Sequence, residues 1–295
     1  MKKPRPILVD ESSPMPPLPG WIGTGLAESA ETAAFRAGAA LAHLGLAGAA
    51  KDLPLALWRE RLALQAAEAC VAMTGRREGQ RALRDAVHLT RAGDNPGPAG
   101  LILRQWSRAV GRRISVGTLA KALEGLSPEQ IAMCLDAKGG TPVERAANVL
   151  EAMLEGNPRA ENEALILADA VLATSMGQDH ILPLLALALK PRDLRLRGDD
   201  LRLVCYRAVV TGAGQAVPLA AVLTRAAARL RAVVPKLRAK AADRAVEMFL
   251  SQDALAPGAL HFMSDRAARR LCDRLVELGA IRELTGRESF RLYGL

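Results

Sequence analysis

Ser264-Asp-Arg-Ala-Ala-Arg-Arg-Leu-Cys-Asp-Arg-Leu-Val-Glu-Leu-Gly279 runs directly into Ala280-Ile-Arg-Glu-Leu-Thr-Gly-Arg-Glu-Ser-Phe-Arg-Leu-Tyr-Gly-Leu295, and these 32 residues decide the fold. Ser264 is a helix N-cap residue, and Asp265 follows it at the positive end of the helix dipole. Ala268, Leu271, Cys272, Leu275 and Leu278 recur at helical spacing on one side. Gly279 supplies a left-handed stop. Residues 281–284 and 289–293 then read as two strands around Thr285-Gly286-Arg287-Glu288, with Arg287 at the tip. Working back from Ser264, residues 240–251 form a first helix with Ala242, Val246, Phe249 and Leu250 inward. Residues 253–260 form a short second one, weakened by Pro257-Gly258. Three helices and a hairpin in this order are the plan of a winged helix-turn-helix.

The outward face of the third helix carries Arg266, Arg269, Arg270, Asp273, Arg274 and Glu277. Arginines there suit guanine edges or phosphates. The interleaved acids suit a protein partner equally well. The wider charge distribution leans towards a polyanion. Net charge is +9, and from Leu219 onward 14 Lys/Arg face 8 Asp/Glu, so +6 of it lies in the final quarter. Between Leu201 and Ala242 there is no acid against eight bases: Arg202, Arg207, Arg225, Arg229, Arg231, Lys236, Arg238 and Lys240. A one-sided field of this kind attracts nucleic acid.

The remainder of the 295 residues reads as helical. Half of the chain is hydrophobic but only 3% is aromatic, so the core must be closely packed Leu, Ala and Val. Residues 1–27 form a Pro-rich, flexible arm with Trp21 as an anchor. Residues 28–238 form a helical domain and 239–295 the winged-helix domain. Helical periods cover residues 28–46, through Phe35, Ala39 and Ala42, and then 55–74 and 76–92. Pro98 opens the helix after the Gly93–Gly100 break, Ser127-Pro128-Glu129-Gln130 is a capping box, and Thr141 and Asn157 cap two longer helices. Gly212-Ala-Gly214 reads as a turn between helices at 199–210 and 219–234, the second ending at Pro235.

Catalytic and metal signatures are missing. Cys70, Cys134, Cys205 and Cys272 are widely spaced and read as small buried hydrophobes, not as zinc ligands or disulfide partners. His43, His88, His180 and His261 are scattered, and neither a phosphate loop nor a nucleophile elbow occurs. No long uninterrupted apolar run or signal-peptide core is present, which makes the expected location cytoplasmic. One polar knot stands out in apolar surroundings: Arg59-Glu60-Arg61 with Glu68, Arg84, Asp85, His88 and the Asp94-Asn95 loop. It reads as an ion-pair network fastening helices.

Four stretches carry a family resemblance: Trp58-Arg-Glu-Arg-Leu-Ala-Leu64; Ala82-Leu-Arg-Asp-Ala86 with Gly93-Asp-Asn-Pro-Gly-Pro-Ala-Gly100; Ala227 to Lys240; and Ser264 to Arg270 with Leu284-Thr-Gly-Arg287 and Arg291-Leu-Tyr-Gly294. In these the chain resembles the bacterial family catalogued as domain of unknown function 1403. That resemblance implies no catalytic residue. The hairpin also looks like the wings of bacterial winged-helix regulators and of some Fic-type proteins, an analogy of form.

The expectation is therefore an all-α multi-helix bundle with a C-terminal winged helix-turn-helix carrying a short β-hairpin, not an enzyme, with no cofactor or metal. Double-stranded DNA is the expected partner, contacted by Arg266, Arg269, Arg270, Arg274 and Arg287, with Arg225, Arg229, Arg231, Lys236, Arg238 and Lys240 adding phosphate contacts. The alternative is an adaptor or assembly subunit whose winged helix docks a protein.

Overall fold

The computed structural model describes residues 16–23, 29–91, 93–237, 241–286 and 290–295. Thirteen α-helices occur among them. In chain order they are α1 (Gly20–Gly23), α2 (Ala30–Gly48), α3 (Leu55–Met73), α4 (Gln80–His88), α5 (Gly97–Val110), α6 (Val116–Ala122) and α7 (Pro128–Leu135). They continue as α8 (Pro142–Gly156), α9 (Glu161–Ser175), α10 (Leu185–Ala188), α11 (Gly198–Val233), α12 (Ala242–Phe249) and α13 (Asp265–Glu277). Strands β1 (Arg282–Glu283) and β2 (Tyr293–Gly294) pair antiparallel, with Arg282 opposite Gly294 and Glu283 opposite Tyr293.

Several starts follow from local chemistry. Ser127 and Gln130 form a reciprocal capping box at α7, Thr141 and Glu144 do the same at α8, and a proline occupies the first turn of each. Pro98 sits in the first turn of α5 as expected. Helix α9 starts later than the sequence pattern suggests, because residues 158–159 form a turn, and Asn157 ends α8 instead of capping α9.

The largest departure from the sequence reading is α11. Its 36 residues run straight through Gly212-Ala-Gly214 and Pro218, where a turn was expected. Proline removes one helical hydrogen bond and crowds the preceding turn, a cost of about 3 kcal/mol. Burial on both sides offsets it: Ala213, Ala216, Val217 and Ala220 are all at most 1% exposed. The Trp58 indole N–H also donates to the Ala216 carbonyl at 3.0 Å, pinning α11 just ahead of the proline. Gly212 is there for close approach, since a Cβ would lie 2.7 Å from the Leu184 carbonyl oxygen.

Helix α11 is the spine. α2, α8 and α10 pack along it, α9 lies on α8, and α3 and α5 pair beside them. One contiguous apolar cluster runs from Ala33 in α2 to Leu295 and takes in α13 and the hairpin. Cys70, Cys205 and Cys272 are buried in it as small hydrophobes, and burial pushes each thiol up to about 12. Two N-terminal expectations are corrected. The buried anchor is Ile22, packed with Ala40 and Ala213, while Trp21 stacks on Phe35 at 5.7 Å and both rings stay exposed. Helix α2 turns its alanines (Ala33, Ala37, Ala40) to the core and Phe35 to the outside, because a closely approached α11 leaves room only for small side chains.

Candidate nucleic-acid interface

The C-terminal segment is built from short elements held by an ionic latch. After α12 the chain extends, and Leu255 exchanges both backbone hydrogen bonds with Tyr293, at 2.8 Å each. The expected second helix at 253–260 is instead this bridge and a single 3-10 turn, Pro257–Ala259. Pro257 has no N–H to give, so a full helix turn cannot close there. Ser264 then caps α13 by accepting the Ala267 N–H, and Gly279 leaves the helix at φ +66°. Strand β2 thus lies between Leu255 and β1. The strands are shorter than the expected 281–284 and 289–293. Leu284 still donates to the Leu292 carbonyl, and the buried Thr285 hydroxyl accepts the Leu292 N–H.

Asp253 fastens this segment to the helical body. Arg84 of α4 grips its carboxylate with two bonds, of 2.6 and 3.0 Å, and Arg61 of α3 lies 2.6 Å from the same group. Arg61 also donates to the Leu295 carbonyl at 3.2 Å, and Arg81 of α4 donates to the Thr285 carbonyl. All three charged side chains of the latch are at most 12% exposed. Burial pulls Arg61 below its ordinary range, and Asp253 pulls it back up. Glu60, one residue away, is pushed up to about 7 by burial, opposed by a hydrogen bond with Ser107 and reinforced by the nearby Asp253 charge.

The polar knot therefore does fasten, though its members do not converge on one pocket. Arg61 and Arg84 meet on Asp253, whereas Glu68 accepts from Gln80 and the Asp94 carbonyl accepts from Arg104. Arg59 lines a separate cavity with Trp58 and His180. The sequence reading missed Asp253, which lies 169 residues from Arg84. An acid next to a buried-looking Ala-Leu pair was the one available signal.

The expected contact residues divide into groups. Arg266 and Arg270 are exposed on α13 and make no ion pair among the described residues. Arg269 pairs with Asp265 at 2.8 Å and Arg274 with Glu277 at 3.0 Å, each along the helix. The exposed face thus carries Arg266, Arg269, Arg270 and Arg274 against Asp265, Asp273 and Glu277, four against three, for a net +1. On α11, Arg225, Arg229 and Arg231 are exposed, as is Lys236 just beyond it, while Arg231 also donates to the Asp52 carbonyl at 3.3 Å. Arg238, Lys240 and Arg287 lie outside the described residues.

One groove joins the basic helix to the tail. Arg229 on α11 and Arg282 on β1 line a cleft of about 230 Å³ together with Val222, Ile281 and, at its base, Arg61. Arg282 escaped the sequence reading because a single exposed strand arginine has no pattern to mark it.

The sequence matches the family model described as "Protein of unknown function (DUF1403)" over residues 7–295. The chain belongs to this family. Curated proteins and solved structures gave no match. Membership in the DUF1403 family assigns the chain no activity. Among the described residues there is no cluster of metal-ligating side chains, and no helix is long and apolar enough to cross a membrane.

Proposed function

We propose that the protein binds double-stranded DNA through its C-terminal segment, with α13 as the helix presented to the duplex and the basic part of α11 as a second phosphate contact. The observation that carries this reading is the pair Arg266 and Arg270: exposed, on one helix, and without acidic partners among the described residues. The segment order supports it. A helix, an isolated bridge, a 3-10 turn, a capped helix and a hairpin follow the plan of a winged helix-turn-helix whose second helix has shrunk to one turn. The 3-10 turn and β1 pack on α13, and its four arginines are exposed.

Fluorescence anisotropy with a labelled duplex of about 25 base pairs tests it. The double variant Arg266→Ala/Arg270→Ala is expected to bind at least about tenfold more weakly, with an unchanged melting temperature because neither side chain is buried. Wild-type protein that fails to bind at low salt, or a double variant that binds as well as wild type, would rule the reading out.

A protein-docking role is the second reading, favoured by a specific feature. Asp265–Arg269 and Arg274–Glu277 interleave acid with base around the half-exposed Val276, a mixed surface more usual at protein interfaces. A stoichiometric partner that survives nuclease treatment in a pull-down would favour this reading over DNA.

A further inference from the structure

A cavity of about 310 Å³ opens between α2, α3, α9 and the segment at 176–184, far in sequence from the basic tail. Its walls are apolar: Leu41 and Leu44 of α2, Trp58 of α3, and Leu172 of α9. Gly45 on the α2 wall faces open space, with nothing within 4 Å of where a Cβ would stand. The polar side chains of the lining are Arg59, Gln178, Asp179 and His180. A greasy chamber with a few polar groups is the common form of a small-molecule site.

The charges of that lining do not balance. Asp179 is the one carboxylate in the lining, and it is already engaged, 2.6 Å from His180 Nδ1 and 3.2 Å from Arg113 Nε. Arg59 makes no ion pair within 4 Å among the described residues, and its Nε–H is buried without an acceptor. A buried donor left unsatisfied costs about 1–3 kcal/mol, more when the group is charged.

We infer that this cavity binds an amphipathic monocarboxylate, its hydrocarbon body against Leu41, Leu44, Trp58 and Leu172 and its carboxylate on the Arg59 guanidinium. One unmatched positive charge calls for one negative charge. A carboxylate neutralises the guanidinium, whereas a phosphate dianion would leave one uncompensated negative charge beside apolar walls. A guanidinium can hold a carboxylate through two parallel N–H bonds, which a neutral donor cannot match in strength. Burial lowers the Arg59 pKa from its ordinary value while nearby Asp179 and Glu60 raise it, consistent with a cation held close to apolar walls. The site is independent of DNA binding, and neither inference needs the other.

Isothermal titration of the full chain with decanoate tests it, with decanol as the uncharged control of equal length. Wild type is expected to bind decanoate saturably and to prefer it to decanol by about tenfold or more, the usual worth of a charge-assisted pair. Arg59→Gln should remove that preference. Gly45→Leu should abolish binding of both by filling the chamber, while raising helix propensity in α2 and leaving the melting temperature at or above that of wild type. Should Arg59→Gln fail to fold, the Gly45→Leu result and the decanoate-to-decanol ratio of wild type still decide the matter. Absence of saturable decanoate binding, equal binding of the two ligands by wild type, or unchanged binding by Gly45→Leu would each overturn the proposal.

Discussion

Asp253 is the residue on which the tail's position turns. Two guanidinium groups surround one carboxylate, and a third donor, Arg81, holds the Thr285 carbonyl nearby. Buried pairs of this kind add little net stability over apolar packing, yet breaking one leaves uncompensated charge. Asp253→Ala is therefore expected to cost about 3–5 kcal/mol in a urea titration, with faster amide exchange in α13 and β2 than in α9. Asp253→Asn, which keeps the acceptor oxygen, should cost less. Glu60 adds a pH dependence whose sign is fixed by the direction of its shift. Its carboxyl titrates at about 7 in the folded chain against 4.5 in the unfolded one. Between those values the unfolded chain has released the proton and the folded chain still holds it, so stability falls as pH rises through this window. The loss is on the order of 3 kcal/mol at 1.36 kcal/mol per unit. Burial lowers the His88 pKa, which works in the opposite sense. Comparison with Glu60→Gln cancels it: melting temperatures of the variant should decline less from pH 4.5 to 7.5 than those of wild type. Parallel curves for the two proteins would contradict the assignment.

At the scale of elements, α11 shows where sequence reading succeeds and where it misleads. Leu223, Leu230 and Leu237 recur every seven residues; the first two are buried in α11 with Ala227, whereas Leu237 lies beyond the helix end and is half-buried. Gly212, Gly214 and Pro218 look like punctuation because propensity is a local quantity, whereas the helix is held by Trp58, α2 and α8 from outside its own sequence. The two glycines have different reasons for being there, and this can be measured. Gly212→Ala forces a methyl onto the Leu184 backbone and should destabilise by about 1–3 kcal/mol. Gly214 faces open space, so Gly214→Ala should stabilise by about 0.5–1 kcal/mol through helix propensity alone. Thermal melts of the two variants moving in the same direction would show that close packing against α10 is not what selects glycine. Capping was the most legible feature: Ser127, Thr141 and Ser264 each do what their side-chain oxygens imply. The expected second tail helix is absent because Pro257, interior to 253–260, removes a helical hydrogen bond and leaves a single 3-10 turn.

For the molecule as a whole, the all-helical body and the terminal hairpin follow from composition and period. The union of the tail with the body does not. It depends on contacts between residues about 170–230 positions apart, which no window of sequence contains. The basic surface was legible as charge but not as placement. Half of the described α13 arginines are paired along their own helix, and Arg282 of the tail shares a groove with α11. Of the expected contacts, Arg225, Arg229, Lys236, Arg266 and Arg270 are exposed and make neither an ion pair nor a side-chain hydrogen bond among the described residues. The most direct measurement is the dependence of duplex affinity on salt, from about 50 to 200 mM, for wild type and for the quadruple variant Arg225→Ala/Arg229→Ala/Arg266→Ala/Arg270→Ala. Five phosphate contacts give a slope of about −4.5 in log affinity against log salt, and removing four of them should flatten it to about −1. Affinity independent of salt, or identical slopes for the two proteins, would contradict DNA binding by this surface.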